Sequence, residues 1–592
     1  MKTIHYLIIL IGLVFITSCN QEPKEVADAI YINGKVYTVD SSQVWAEAFA
    51  VKDGKFMFVG TTAEVEKLKG EKTQVVDLKG RFVMPGLVEE HVHPDMLAEN
   101  IMNINVPDPE MSYEKFGAEI KQFLKKYPDT KWIFGGPLNW LKDRAGNIDV
   151  WNLPAHHSII DSLVNDRPAF FWDLGAHAGL INSYAMEKYG INKNNTPPEG
   201  GSWDVDENGE LTGVLRETAA NAIWEEFLKE RESPEAQAER GFLPVFRELN
   251  SYGFTSISDV WARPWNIDAY QVLEKNNQLT ARVTIWATDP IDWVSPWVRK
   301  MSADLISKGP HKYSEKINLV GVKFVMDGSA GGQTAVMKDP FIGTDNRGFW
   351  RDDPDYFLKK IVEYDKMGLT IRAHAVGDRA ISVVLDGIEL TRKNGSKLRH
   401  AVAHTVFVNP EDLDRFKELD ACCDVSPYFW MPDPAVETIR ADVGEERLNW
   451  IFPFHSLLVR GVHMSTGSDA PVSPLDPWKP MEAMVTRQLP GGVGTPLAFH
   501  EAITLKDAIY IYTMGGAYNE YKENEIGSIT KGKYADFIIL DQNLFEIEPT
   551  EIHKTDVIST YLEGIEVYKL TSPDDDSESD LYNKETEKQV IH

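Results

Sequence analysis

The stretch Phe82-Val-Met-Pro-Gly-Leu-Val-Glu-Glu-His-Val-His-Pro94 decides how this chain is read. Its apolar run predicts a strand, and side chains alternate faces along a strand, so His91 and His93 point the same way at its end. Two imidazoles aimed together can hold one metal ion. On its own, His-X-His before a proline is more often just a strand emerging into a turn. It gains weight from Lys323, His374, His404 and Asp469, which stand in or just beyond later apolar runs.

Those later runs have strand length and fall near residues 255–260, 281–287, 319–326, 369–374, 401–406, 421–426 and 462–468. Amphipathic stretches of helical length separate them, which is the pattern of βα units feeding a parallel sheet. With the first run they total eight strands. The expected fold is therefore an α/β (β/α)8 TIM barrel, with its site where the C-terminal ends of the strands gather.

Two β-rich blocks flank the barrel. Residues 29–84 carry short runs broken by Asn33-Gly34 and Asp53-Gly54, which read as hairpin turns, and residues 526–570 carry a second set. Neither block is long enough to stand as a sandwich alone, so the two chain ends are expected to form one small β-sandwich domain. The barrel, residues 85–525, is then an insertion between them. Surplus chain after the first barrel strand, about residues 100–235, is expected to form a lobe over the mouth. It includes Trp132-Ile-Phe-Gly-Gly-Pro-Leu-Asn-Trp140 and Trp172-Asp-Leu-Gly-Ala-His-Ala-Gly-Leu-Ile-Asn182. Residues 571–592, with Asp574-Asp-Asp-Ser-Glu-Ser-Asp580, lack any apolar pattern and read as a disordered acidic tail.

The 592 residues carry a formal net charge of −29, which excludes nucleic acid as a partner because phosphate binding needs clustered Lys and Arg. At the N-terminus, Lys2 and the apolar run Tyr6–Ile16 read as a signal peptide over residues 1–18. Ile16-Thr-Ser-Cys19 resembles a bacterial lipobox, although that motif prefers Leu at position 16 and Gly or Ala at position 18. The resemblance implies lipidation at Cys19, a polar tether over residues 19–28, and an exported lipoprotein on the periplasmic or surface side of a membrane, the outer one first. Cys422 and Cys423 are neighbours about 3.8 Å apart at their α carbons, too close for an ordinary disulfide, and are expected as buried free thiols.

Placed on the expected strands, His91 and His93 lie on the first, Lys323 on the fourth, His374 on the fifth, His404 on the sixth and Asp469 just past the eighth. Lys323 is the most telling of these. It is flanked by Val322, Phe324 and Val325, where a bare ammonium is costly to bury, so it must reach a partner or be chemically altered. Histidines and a carboxylate converging at one mouth are the ligand types of divalent zinc chemistry.

Four motifs carry a family resemblance: Pro85-Gly-Leu-Val-Glu-Glu-His-Val-His-Pro94, Val322-Lys-Phe-Val-Met-Asp-Gly-Ser329, His374-Ala-Val-Gly-Asp-Arg-Ala380 and Gly467-Ser-Asp-Ala-Pro-Val472. Together with Gly532-Lys-Tyr-Ala-Asp-Phe537 they resemble the amidohydrolase superfamily, specifically its third, YtcJ-like subfamily, which includes N-substituted formamide deformylase. The resemblance implies His91, His93, His374 and His404 as metal ligands. It further implies Lys323 as a carbamylated bridge between two metals, Asp469 as ligand and proton shuttle, and His177 in the lobe as a contact to substrate or its oxyanion.

Two positions depart from the pattern: Ala403 stands where the family has an acidic residue, and Glu90 where it has Asp or Asn. His400 competes with His404 for the sixth-strand ligand, but His404 lies nearer the C-terminal end of its strand. The implied activity is hydrolysis of a non-peptide carbon–nitrogen bond, in an amide or N-substituted formamide, with one or two divalent ions, zinc first. The rivals are a cyclic amide, imide or ester hydrolase on the same site, and an inactive ligand-binding surface lipoprotein. Expected partners are a small-molecule substrate, the membrane through the lipid anchor alone, and a second copy of the chain in a homodimer.

Overall fold

The computed structural model describes residues 25–105, 113–138, 155–173, 178–290, 296–431 and 434–571. Its central sheet holds β1 (Leu87–Val92), β2 (Phe254–Ala262), β3 (Arg282–Thr288), β4 (Ile317–Val325), β5 (Thr370–Ala375), β6 (Ala401–His404), β7 (Cys422–Val425) and β8 (Met464–Thr466). Each strand pairs in parallel with the next in that order. All seven residues of β3 are buried, as expected of a parallel strand covered on both faces. The helix Asp378–Lys393 shows how the outer ring packs. It buries Ile381, Val384, Leu385 and Ile388, one face at helical spacing, in the same apolar core as the barrel strands.

The ring closes at the His-X-His stretch. Asp469 N–H donates to the His91 carbonyl at 2.7 Å and His93 N–H donates to the Ala470 carbonyl at 3.0 Å, which joins β1 to the chain leaving β8. A parallel bridge pairs Val92 with Ala470. This approach is so close that a Cβ added at Gly467 would lie 2.2 Å from the His91 nitrogen, so no side chain fits there. The same backbone contact that shuts the barrel sets Asp469 beside the two histidines.

The two chain ends meet as expected. Phe537–Leu540 pairs antiparallel with Phe82–Pro85 inside one six-stranded sheet, and a four-stranded sheet of residues 29–77 packs against it. Between them lies an aromatic core in which Phe537 stacks on Tyr561 at 4.4 Å and meets Phe49 edge-on at 4.8 Å. Asp53-Gly54, both at positive φ, forms the expected two-residue hairpin between Ala48–Lys52 and Lys55–Gly60. The Asn33-Gly34 reading needs correction. The strands on either side of it, Ala29–Ile32 and Lys35–Tyr37, lie in different sheets, so this turn carries the chain across the sandwich rather than back along one sheet.

Between β1 and β2 the inserted chain builds its own six-stranded mixed sheet, from Ile104–Asn105 to Leu211–Glu217. Among the described residues, aromatic side chains build part of its core: Phe134 stacks on Phe170 at 5.5 Å and on Phe227 at 4.0 Å, and Trp132 is buried with them, while Trp140 lies outside the described residues. At the N-terminal end of the barrel strands, Arg282 at the start of β3 is buried against Asp536 at 3.1 Å and Glu563 at 2.9 Å. Its guanidinium also lies over the Tyr534 ring at 4.0 Å, which fastens the barrel base to the β-sandwich. No helix among the described residues is long and apolar enough to cross a membrane. The signal and lipobox stretch through Lys24, with Cys19, and the tail from Ser572 lie outside the described residues.

Candidate active site

His91 and His93 at the end of β1, Lys323 on β4, His404 ending β6 and Asp469 beyond β8 come together at the C-terminal mouth. One donor atom each from His91, His404 and Asp469 lies within 4.8 Å of the other two. His93 joins through its Nε2, 2.8 Å from Asp469 Oδ1, and Lys323 through its Nζ, 2.7 Å from His91 Nε2. The ring centroids of His91 and His374 each lie 4.5 Å from that of His404. His374 is turned slightly aside, with its Nε2 3.2 Å from the Gly328 carbonyl and 3.5 Å from Asp327 Oδ1. His404 and Asp469 both sit at positive φ, a strained conformation for residues with a side chain and one that recurs at functional sites.

Burial sets the electrostatics. It pushes the His91 and His404 imidazoles well below their ordinary range, with the Lys323 charge adding to the effect at His91 and the His374 ring at His404. Burial, then Lys323, lowers His374 to about 4. These rings are therefore neutral at neutral pH, and a neutral imidazole is what a metal binds. Burial also brings Lys323 down to about 7, against the opposing pull of Asp469 and Asp424. A buried amine of that kind spends part of its time unprotonated and nucleophilic. This donor set, three neutral imidazoles with a carboxylate and a lysine nitrogen, fits a divalent metal of zinc type.

His400 is not part of this group. It lies at the other end of β6, with its Nδ1 accepting from Ile371 N–H at 3.0 Å and its Nε2 3.0 Å from Asp365. His177 lies outside the described residues.

The sequence reading missed Asp424. This β7 carboxylate is buried, and its Oδ2 lies 2.5 Å from His91 Nδ1. Ala403, where an acidic residue was expected, is the register neighbour of Asp424, so the acid stands one strand over. The signal was available, because Asp424 is a charge inside an apolar run, the same feature that singled out Lys323. Arg372 on β5 has that feature too. Glu90, seen only as a departure, is buried and ion-paired with Arg372. Glu89 accepts from His91 N–H at 3.1 Å and Ser468 N–H at 2.9 Å and so laces β1 to β8. Asp327 accepts the N–H groups of Val336, Val376 and Gly377 and anchors the loop after β4. At the mouth, Phe429 stacks on His404 at 5.5 Å and Trp261 stands edge-on to His93 at 6.2 Å.

A parallel barrel with imidazoles, a carboxylate and a buried lysine at its C-terminal mouth is the architecture of a metal-dependent hydrolase. The amidohydrolase family model matches residues 74–568, and the chain belongs to that family. It is a hydrolase of carbon–nitrogen bonds other than peptide bonds. The chain is 26% identical over 552 residues to the putative amidohydrolase YtcJ of Bacillus subtilis, covering 91% of this chain and 99% of that protein. It is 25% identical over 565 residues to the N-substituted formamide deformylase of Arthrobacter pascens, covering 92% and 99%. Among solved structures, an uncharacterized metal-dependent hydrolase from Pyrococcus horikoshii OT3 shares the fold with a TM-score of 0.70, at 24% identity over 88% of this chain and 99% of that one.

Proposed function

We propose that the protein hydrolyses an amide or N-substituted formamide, using one or two divalent ions, zinc first, held by His91, His93, His374, His404, Asp469 and a carbamylated Lys323. The observation that carries this reading is the convergence of His91, His404 and Asp469 donor atoms within 4.8 Å, beside the buried Lys323. A metal bound there would bring the pKa of water toward neutrality and polarise the scissile carbonyl. The remaining work falls to the chain itself. Asp469, 2.8 Å from His93 and 3.5 Å from His91, is the carboxylate placed to take the proton of the attacking water and return it to the departing amine. Lys323 occupies the His91 Nε2 lone pair, so as an ammonium it competes with a metal for that nitrogen. Addition of carbon dioxide to its neutral amine, with release of one N–H proton to solvent, would turn this competitor into an anionic carbamate ligand.

Phe429 and Trp261 flank the histidines with aromatic surface, which suits an apolar substituent on the scissile nitrogen. The similarity to the formamide deformylase supports the same substrate class. The test is metal analysis of the purified protein together with a hydrolysis screen of N-substituted formamides, linear amides, cyclic imides and esters. We expect bound divalent metal and formamide or amide cleavage that chelation abolishes and zinc restores. Protein that takes up no divalent metal, or metal-loaded protein that cleaves only esters or imides, would overturn the reading.

A further inference from the structure

Beneath the candidate ligands the barrel interior is charged rather than filled with the branched apolar side chains usual for this fold. Arg372, Glu90 and Asp424 are all buried there. One guanidinium nitrogen of Arg372 donates to the Glu90 carbonyl and the other to Glu90 Oε2. Its Nη1 lies 3.7 Å from Asp424 Oδ2, the same oxygen that meets His91 Nδ1 at 2.5 Å. The face of the guanidinium rests on the Trp286 indole at 4.2 Å. Glu90 is held in turn by the hydroxyls of Ser258 at 3.0 Å and Ser465 at 3.3 Å, and Asn519 donates to Ser465 at 2.6 Å. Arg372 thus ties β5 across the barrel to the residue preceding His91 and, through Asp424, to the His91 ring itself.

A carboxylate acceptor at Nδ1 fixes the histidine tautomer with its proton there and leaves Nε2 as the lone pair that faces the mouth. We propose that Arg372 is a positioning residue of the metal centre. Braced by Glu90 and Trp286, it holds the Asp424 carboxylate against His91 Nδ1 and so orients His91 Nε2 for a metal. This rests on the reading of the mouth as a metal site. The planar fork of arginine is essential to the arrangement, since a single lysine ammonium cannot reach the Glu90 carbonyl, the Glu90 carboxylate and Asp424 together.

The probe is cobalt(II) added to the metal-stripped full-length protein, with affinity read by chelator competition and coordination by the visible spectrum. Circular dichroism establishes the fold of each variant. Asp424→Asn and Arg372→Lys should each bind cobalt about 10- to 100-fold more weakly than the parent, with an altered spectrum. The double variant should be no weaker than Asp424→Asn alone, because Arg372 acts through Asp424. Where Arg372→Lys does not fold, Glu90→Gln carries the test: it leaves Asp424 intact, unbraces Arg372 and should weaken binding in the same sense. Folded variants with parental affinity and spectrum, or additive losses in the double variant, would overturn the inference. A parent protein that binds no cobalt would instead overturn the metal-site reading beneath it.

Discussion

The Nε2 of His93 lies 2.8 Å from Oδ1 of Asp469, although 376 residues separate the two in the chain. This contact joins the first barrel strand to the segment after the last, immediately beside the backbone hydrogen bonds that close the ring. The residue whose carboxylate meets the histidines is thus also a residue of the barrel closure, its N–H donating to the His91 carbonyl at 2.7 Å.

Asp469→Asn keeps the side-chain shape and the backbone suture but removes the proton acceptor. With the histidines and Lys323 still in place, metal content is expected to be retained while turnover on an identified substrate falls at least about 100-fold, the lower bound for general acid–base work. Steady-state kinetics beside metal analysis decide it. Near-parental turnover at full metal content would assign the shuttle to another residue.

Lys323 gives a pH dependence. Burial lowers its folded-state value to about 7, whereas an unfolded lysine titrates near about 10.4. Between these values the unfolded chain binds more protons at this position than the native one, so its contribution to stability rises with pH across that window. The cost is fully present below about pH 7. In metal-stripped protein, the Tm of the parent relative to Lys323→Met should increase from about pH 7 to 9.5 by scanning calorimetry; a constant difference would show that Lys323 does not titrate there.

Removing Arg282 tests the base of the fold. Arg282→Met leaves the Asp536 carboxylate buried without its cation, and breaking such a pair costs about 3–5 kcal/mol. Denaturant titration should show that loss, while kcat per folded molecule stays near parental because Arg282 starts β3 at the end opposite the mouth. A change under about 1 kcal/mol would mean the tie to the β-sandwich is dispensable.

The lipobox resemblance makes Cys19→Ser the test of localisation. Without the thiol no lipid can be attached, and the protein is expected to leave the membrane fraction for the soluble one on cell fractionation. Membrane association unchanged by the substitution would refute the anchor.

The sequence by itself determined the eight strands, the meeting of the two chain ends, and the candidate residues His91, His93, Lys323, His374, His404 and Asp469. Each is carried by local pattern: apolar runs of strand length, and ionisable residues in or just beyond them. What only the tertiary structure decided is how those residues meet. Asp424 and Ala403 do not point to each other in sequence, yet parallel register sets them side by side and brings Asp424 under His91. Glu90 reads as a departure from a motif until Arg372, 282 residues away, is seen bonded to it. Asn33-Gly34 has the chemistry of a hairpin, but whether its flanking strands share a sheet depends on packing across the sandwich. A strand's own residues fix its period and its burial; its partners, and hence which buried charge faces which, follow from barrel closure and register, which no local stretch encodes.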